Sequence, residues 1–195
     1  MVRAFFNKKA TIWDETIAEK DISKLERMAQ RLDIKTGSSV LDVGTGTGIF
    51  VPFLLKKIGD KGQLTTIDIA EEMLKLSKAK GFCRNVEHLH ADIANLPIIE
   101  RTFDAIVCYS SFPHFQNKPQ ALNEMSRVLK NGGRLFICHT SSRSEINEIH
   151  RSVPDVENDI IPDAQEMREL MSAAGFTYTK IEDDSDSYLT RAEKR

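Results

Sequence analysis

A chain of 195 residues, 41% hydrophobic and 29% charged, falls within the range of one globular domain and can bury one sizeable core. Its formal net charge of −2 sets up no field that would gather phosphate backbones or an anionic membrane surface, so neither nucleic acid nor membrane is an expected partner. No apolar run approaches the roughly 18 residues of a membrane span. The first nine residues lack a signal-peptide core, and the expectation is a cytoplasmic protein.

Residues 1–36 read as a helical lead-in. Ile22, Leu25, Ala29 and Leu32 share one helical face, and Ser23 with Glu26 suggests a capping box. After the turn signal Lys35-Thr36-Gly37-Ser38, short apolar runs alternate with helical stretches through residues 37–195, the rhythm of a parallel sheet. Strands are expected at 39–43, 63–69, 86–90, 103–110 and 134–139. Helices are expected at 49–58, 70–80 with Gly81 as a left-handed cap, and 118–129 closed by a turn at Asn131-Gly132-Gly133. A helix over 164–174 follows, and then two strands at 176–182 and 188–192. The short acidic connection Asp183-Asp184-Ser185-Asp186 makes this last pair antiparallel. The expected architecture is α/β: a Rossmann-like, doubly wound, mostly parallel seven-stranded sheet with an antiparallel C-terminal strand, all in one domain over 1–195.

Cys83, Cys108 and Cys138 are odd in number and form no CxxC, which suits buried thiols in a reducing compartment better than a disulfide framework or a zinc site. No metal is expected.

The strongest chemical signal is Val40-Leu41-Asp42-Val43-Gly44-Thr45-Gly46-Thr47-Gly48-Ile49-Phe50, a strand running through three glycines into a helix. Glycine permits positive φ and close approach of a ligand to the main chain, and the helix start offers unpaired N–H groups. The spacing is G-x-G-x-G rather than the dinucleotide G-x-G-x-x-G, and no lysine follows as a triphosphate loop requires. Asp42 places a carboxylate ahead of the first glycine, which disfavours a pyrophosphate and favours a cation such as an α-ammonium or a sulfonium. Asp68 ends the second strand, where a carboxylate can accept from a ribose diol, and Asp92 ends the third, within reach of an exocyclic adenine amine.

The 41–50 block, Ile67-Asp68-Ile69 with Glu71-Glu72-Met73-Leu74, Ala91-Asp92, Phe103-Asp104-Ala105-Ile106-Val107 and the run from Glu124 to Gly133 together resemble the successive motifs of class I S-adenosylmethionine-dependent methyltransferases acting on small molecules. The resemblance implies S-adenosylmethionine as cofactor and S-adenosylhomocysteine as product. It places Asp42, Gly44, Thr45 and Gly46 near the methionine moiety, and Asp68, Ile69 and Met73 around the ribose and adenine. Asp92 and Ile93 then fall at the adenine rim and Tyr109 beside the methyl group.

Methyl transfer from a sulfonium needs alignment and exclusion of water more than it needs a base. His114, after the fourth strand, is the first catalytic and substrate candidate, since an alcohol or amine acceptor would profit from a base near neutrality; packing beside Phe115 is its plainer reading. His139 is the second candidate, Arg143 a candidate for an anionic substrate group, and His150 sits seven residues beyond Arg143 on an expected helix. In similar enzymes an aromatic N-terminus, here Phe5, Phe6 and Trp13, folds over the cofactor as a lid, with Trp13 toward substrate. The alternative functions are a non-catalytic adenosyl-cofactor-binding module and an NAD(P)-dependent oxidoreductase. A homodimer is admitted by the sequence, though no residue argues for it. Replacing Asp68 by Ala is expected to abolish cofactor binding and leave the fold intact.

Overall fold

The computed structural model of the chain describes residues 2–16, 20–82 and 85–195. Its seven strands are β1 (Ser39–Val43), β2 (Gln63–Asp68), β3 (Val86–His90), β4 (Phe103–Tyr109), β5 (Leu129–His139), β6 (Phe176–Asp183) and β7 (Tyr188–Lys194). They form one sheet in the order β3-β2-β1-β4-β5-β7-β6. Neighbours from β3 to β5 pair in parallel, and β7 runs antiparallel to both β5 and β6. The chain begins mid-sheet and winds outward in both directions, so the winding reverses between β1 and β4. At such a reversal a crevice opens beyond the carboxyl ends of the strands.

The helices are α1 (Val2–Lys9), α2 (Trp13–Thr16), α3 (Ile22–Arg31), α4 (Val51–Ile58), α5 (Glu71–Ala79), α6 (Lys118–Val128), α7 (Arg143–Arg151) and α8 (Ala164–Ala173), with 3₁₀ turns at Ala10–Ile12 and Phe112–His114. Period-two alternation sorts the central strands onto two cores. Val40, Ala105, Val107 and Phe136 pack with Leu25 and Met28 of α3 and Leu54 of α4. Leu41, Val43, Ile106 and Leu135 pack with Leu122 and Met125 of α6 and Met167 of α8. Strands β1 and β4 are thus apolar on both faces, as a parallel sheet covered on two sides requires, whereas edge strand β3 has no fully buried residue.

Three local expectations are corrected. Asp21, rather than Ser23 with Glu26, caps α3: its side chain accepts from the Ser23 and Lys24 N–H groups, while Glu26 pairs with Lys56 at 2.7 Å. Ile22 is 64% exposed and Met28 takes its place on the buried face. The Asn131-Gly132-Gly133 segment is not a turn before a strand but part of β5, which opens at Leu129 and carries a register shift against Phe103 and Ala105. Gly81 does stand in the left-handed region after α5, at φ 65°. Cys108 and Cys138 are buried thiols on β4 and β5, and Cys83 lies outside the described residues.

Candidate active site

The carboxyl end of β1 passes into the glycine loop, whose first turn is tied to β2: the Gly44 and Thr45 N–H groups donate to the Ile67 carbonyl at 2.9 and 3.0 Å. Gly44 sits at φ 69°, and a Cβ there would stand 2.5 Å from the Cβ of Ser111, which follows β4 and donates from its hydroxyl to the Val43 carbonyl at 2.6 Å. Only glycine lets the loop lie this close to the end of β4. Gly46, at φ 56°, faces open space, with the indole nitrogen of Trp13 at 4.0 Å from where a Cβ would be.

Asp68, at the carboxyl end of β2, is 8% exposed and braces this loop: Oδ2 accepts from the Gly46 N–H at 2.8 Å and Oδ1 from the Ala70 N–H at 2.7 Å. Burial pushes its carboxyl above the usual range, and these two hydrogen bonds pull it back. Asp42 is buried at the end of β1, on the side of the sheet that faces α3 and α4. Burial pushes it up to about 7, with the nearby Asp68 charge adding to the rise and Thr45 opposing it. Neither Asp42 Oδ2 nor the Thr45 hydroxyl has a hydrogen-bond partner of normal geometry among the described residues. Two buried acids behind and beside the loop favour a ligand with a cationic head.

Beyond the loop lies a cavity of about 220 Å³. Gly44, Thr45 and Gly46 line it, together with Asp68, Ile69 and Met73 from the β2–α5 corner and Asp92 and Ile93 after β3. Asp92 is exposed, and its Oδ1 accepts from the Ala94 N–H at 2.9 Å. Tyr109 closes the cavity at the end of β4, where its ring stacks on Phe50 at 4.4 Å and its hydroxyl meets that of Thr140 at 3.1 Å. Trp13 and His114 line it as well, and so do Val2 and Phe6 of α1. Asp42 lies behind the loop, and His139 and Arg143 also lie outside the lining. His139 is buried with its ring 6.4 Å from that of Tyr188. Arg143 starts α7 and pairs with Asp183 at 3.5 Å, so its charge is turned to the β6–β7 corner.

The N-terminal segment is fastened over the cavity. Arg3 makes a two-point contact with Glu71 at 2.8 and 2.9 Å, Asn7 donates to the same carboxylate, and Glu72 N–H donates to Asn7 Oδ1 at 3.0 Å. Asp14 bridges the Thr47 hydroxyl and Lys80, the latter at 2.9 Å. Phe6, Trp13 and Ala10 pack on Ala70 and Met73. His114 is 12% exposed, and its Nδ1 meets Asp159 Oδ2 at 2.9 Å. Burial lowers its pKa and the Asp159 carboxylate raises it. Asp159 gives no local signal in the sequence, because the residue it serves lies 45 positions earlier. Phe6 and Ser111 are further contributors that loop spacing does not reveal. Among the described residues, no group of three or more His, Cys, Asp or Glu is arranged to hold a metal ion.

Comparison with known proteins agrees with this geometry. A family model described as a methyltransferase domain matches residues 41–137. The ubiquinone/menaquinone biosynthesis C-methyltransferase UbiE of Teredinibacter turnerae is 38% identical over 112 residues, covering 55% of this chain and 45% of that protein. UbiE of Klebsiella pneumoniae is 30% identical over 164 residues, covering 82% of this chain and 60% of that protein. The chain spans about half the length of the curated relatives it matches. Among solved structures, a SAM-dependent methyltransferase from Aquifex aeolicus superposes with a TM-score of 0.75 at 26% identity, covering 95% of this chain and 97% of that one. A putative methyltransferase of Haloferax volcanii, solved in complex with the Trm112 methyltransferase activator, gives a TM-score of 0.81 at 18% identity and 96% coverage of both chains. The chain belongs to the class I S-adenosylmethionine-dependent methyltransferases.

Proposed function

We propose that this chain moves the methyl group of S-adenosylmethionine to a small-molecule acceptor in the cytoplasm. The observation that carries this reading is the brace between Gly46 and Asp68 at 2.8 Å, which sets the glycine loop against an acid at the winding reversal of the sheet. The residues present suit the cofactor. Thr45 lines the cavity with a buried hydroxyl that the described residues leave to a ligand, and the Asp42 carboxyl behind the loop would favour an α-ammonium group on the cavity side through its charge. Asp68 keeps lone pairs beyond the two it uses for the Gly46 and Ala70 N–H groups, enough to accept from a ribose diol. Met73, Ile69 and Ile93 offer apolar walls to an adenine ring, and Asp92 a rim acceptor.

When bound, S-adenosylmethionine supplies a methyl group on a sulfonium, an electrophile with a good leaving group already in place. The chain's own residues then have two tasks, alignment and drying. Phe6, Trp13 and Val2 of the N-terminal segment line the cavity with apolar surface that would shield a bound ligand from water. Tyr109, fixed by Phe50 and Thr140, would form the wall beside the methyl group of the bound cofactor, and His114 would offer a ring nitrogen to the acceptor. The cytoplasmic setting is supported by buried thiols at Cys108 and Cys138, and no described helix is long and apolar enough to cross a membrane.

Calorimetry with S-adenosylhomocysteine and NADH tests the cofactor. Binding of the first and silence with the second is expected; the reverse would return the site to a nicotinamide dinucleotide. Methyl transfer is then measured against a panel of small thiols, phenols, amines and enolisable carbonyl compounds. Tight cofactor binding with no transfer to any of them would favour the non-catalytic module.

A further inference from the structure

Resting on the methyltransferase reading, we propose that Asp159 is the positioning residue of His114, fixing the imidazole with its proton on Nδ1 and leaving Nε2 as the proton acceptor toward the methyl acceptor. A carboxylate only accepts, so the 2.9 Å contact between Asp159 Oδ2 and His114 Nδ1 requires the proton on Nδ1. His114 lines the cavity, and the nitrogen left to it is the one Asp159 does not hold. Both side chains are 12% exposed, so the pair is sheltered from competing water.

The segment that carries Asp159 is built to stay in place. Asn147, buried on α7, clamps the backbone two residues further on: its Nδ2 donates to the Ile161 carbonyl at 3.0 Å and its Oδ1 accepts from the Ile161 N–H at 2.8 Å. His150, one turn along α7, donates from Nδ1 to the Asp159 carbonyl, since a carbonyl has no proton to give. The His150 ring also lies 4.8 Å from that of His114. One residue is thus held through its backbone by α7 and holds the cavity histidine through its side chain. No element of the methyltransferase motifs between Val40 and Gly133 contains Asp159, Asn147 or His150.

The proton step balances within this pair. The X–H bond of the acceptor breaks, its electron pair stays on X, and the proton forms an N–H bond at His114 Nε2. The resulting imidazolium charge faces the Asp159 carboxylate, and the proton passes to solvent after product leaves. Burial together with His139 and Lys118 disfavours the charged form of His114, Asp159 favours it, and the His150 ring lies beside it. The balance keeps His114 neutral, and so a base, at pH 7. A neutral, proton-bearing nucleophile such as an alcohol, an amine or an enolisable carbon is the acceptor class such a base serves.

Long-range 1H–15N correlation spectra of the imidazoles in the full chain decide the matter. In the wild-type protein at pH 7, His114 is expected neutral, protonated at Nδ1 and bare at Nε2. Asp159→Asn keeps an acceptor oxygen but removes the charge; the tautomer should persist while the titration midpoint falls by about one pH unit. Asp159→Ala removes both, and the proton should redistribute toward Nε2. A wild-type His114 protonated at Nε2, or a midpoint unmoved in Asp159→Asn, overturns the proposal, and the wild-type spectrum decides even if Asp159→Ala fails to fold. Calorimetry with S-adenosylhomocysteine on the same wild-type sample separates the two readings: binding with the wrong tautomer removes only the Asp159 role, and no binding removes the methyltransferase reading of the cavity.

Discussion

Phe6 of α1 meets His114 edge to face, with ring centroids 4.8 Å apart and planes at 78°. The contact joins the N-terminal segment to the cavity wall formed after β4, and Phe6 makes the same kind of contact with Trp13 at 5.3 Å. An aromatic pair of this geometry contributes roughly 0.5–1.5 kcal/mol beyond its buried area. Phe6→Ala should therefore weaken S-adenosylhomocysteine binding about tenfold, measured by calorimetry. It should also hasten tryptic cleavage after Lys8 and Lys9, because the segment loses an anchor. Unchanged affinity and unchanged cleavage would show that the segment packs on the protein without covering the ligand.

Gly44 and Gly46 both stand at positive φ, but their surroundings differ, and so should their variants. At Gly44 a new Cβ meets the Ser111 Cβ at 2.5 Å, so Ala must displace the end of β4. Overpacking of this kind costs about 1–3 kcal/mol, added to about 1–2 kcal/mol for a side chain in the left-handed region. Gly44→Ala should lower the midpoint of thermal unfolding clearly. At Gly46 the Cβ enters open space beside Trp13, so the fold loses only the conformational term while the ligand loses its place against the loop N–H groups. Gly46→Ala should unfold within a few degrees of the wild type and bind S-adenosylhomocysteine at least tenfold more weakly. Equal melting of the two variants would contradict the packing described for Ser111.

Much of this architecture can be read along the chain because its signals are local. The predicted bounds of β1 and β3 agree with the structure to the residue, β1 as a short, largely apolar run and β3 as a more polar edge segment with Val86 and Leu89. The same local logic misplaced Asn131-Gly132-Gly133, where pairing with β4 absorbs a strong turn signal into β5 as an irregularity. It also took Arg143 for a substrate contact. Its partner Asp183 is 40 residues away, on the strand that closes the opposite edge of the sheet. The glycine-loop side of the cavity follows from loop spacing. The His114 side depends on Asp159 and Phe6, which only the tertiary fold brings to that residue.

Asp68 has a structural duty that the spacing of acids does not disclose. Its two oxygens satisfy the N–H groups of Gly46 and Ala70, so removing them leaves one part-buried and one buried donor without a partner. Each such loss costs about 1–3 kcal/mol. Asp68→Ala should abolish detectable S-adenosylhomocysteine binding and, although the fold persists, lower stability to urea by a few kcal/mol. Asp68→Asn keeps one acceptor oxygen and should recover part of the stability with little of the binding. An Asp68→Ala variant that binds normally would refute the ribose assignment.

Asp42 is expected to tie ligand binding to pH. Its carboxyl titrates near 7 in the folded chain against an ordinary 3.8, because burial disfavours the charged form. The folded state then holds more protons than the unfolded state between those values, so stability falls as pH rises from about 4 to about 7 and is level above. The full displacement corresponds to on the order of 4 kcal/mol as an upper limit. Asp42→Asn should therefore flatten this stretch of the stability profile and leave the free protein more stable than the wild type at pH 8, with little difference at pH 4. A cationic ligand head near the loop favours the ionised carboxylate, so binding of S-adenosylhomocysteine at pH 6.5 should release a fraction of a proton. Calorimetry in two buffers of different ionisation enthalpy reads this directly: the apparent binding enthalpy should differ between buffers for the wild type and agree between them for Asp42→Asn. Buffer-independent enthalpy in the wild type would mean that Asp42 does not sense the ligand, and its buried charge would then need another explanation than the amino-acid head of the cofactor.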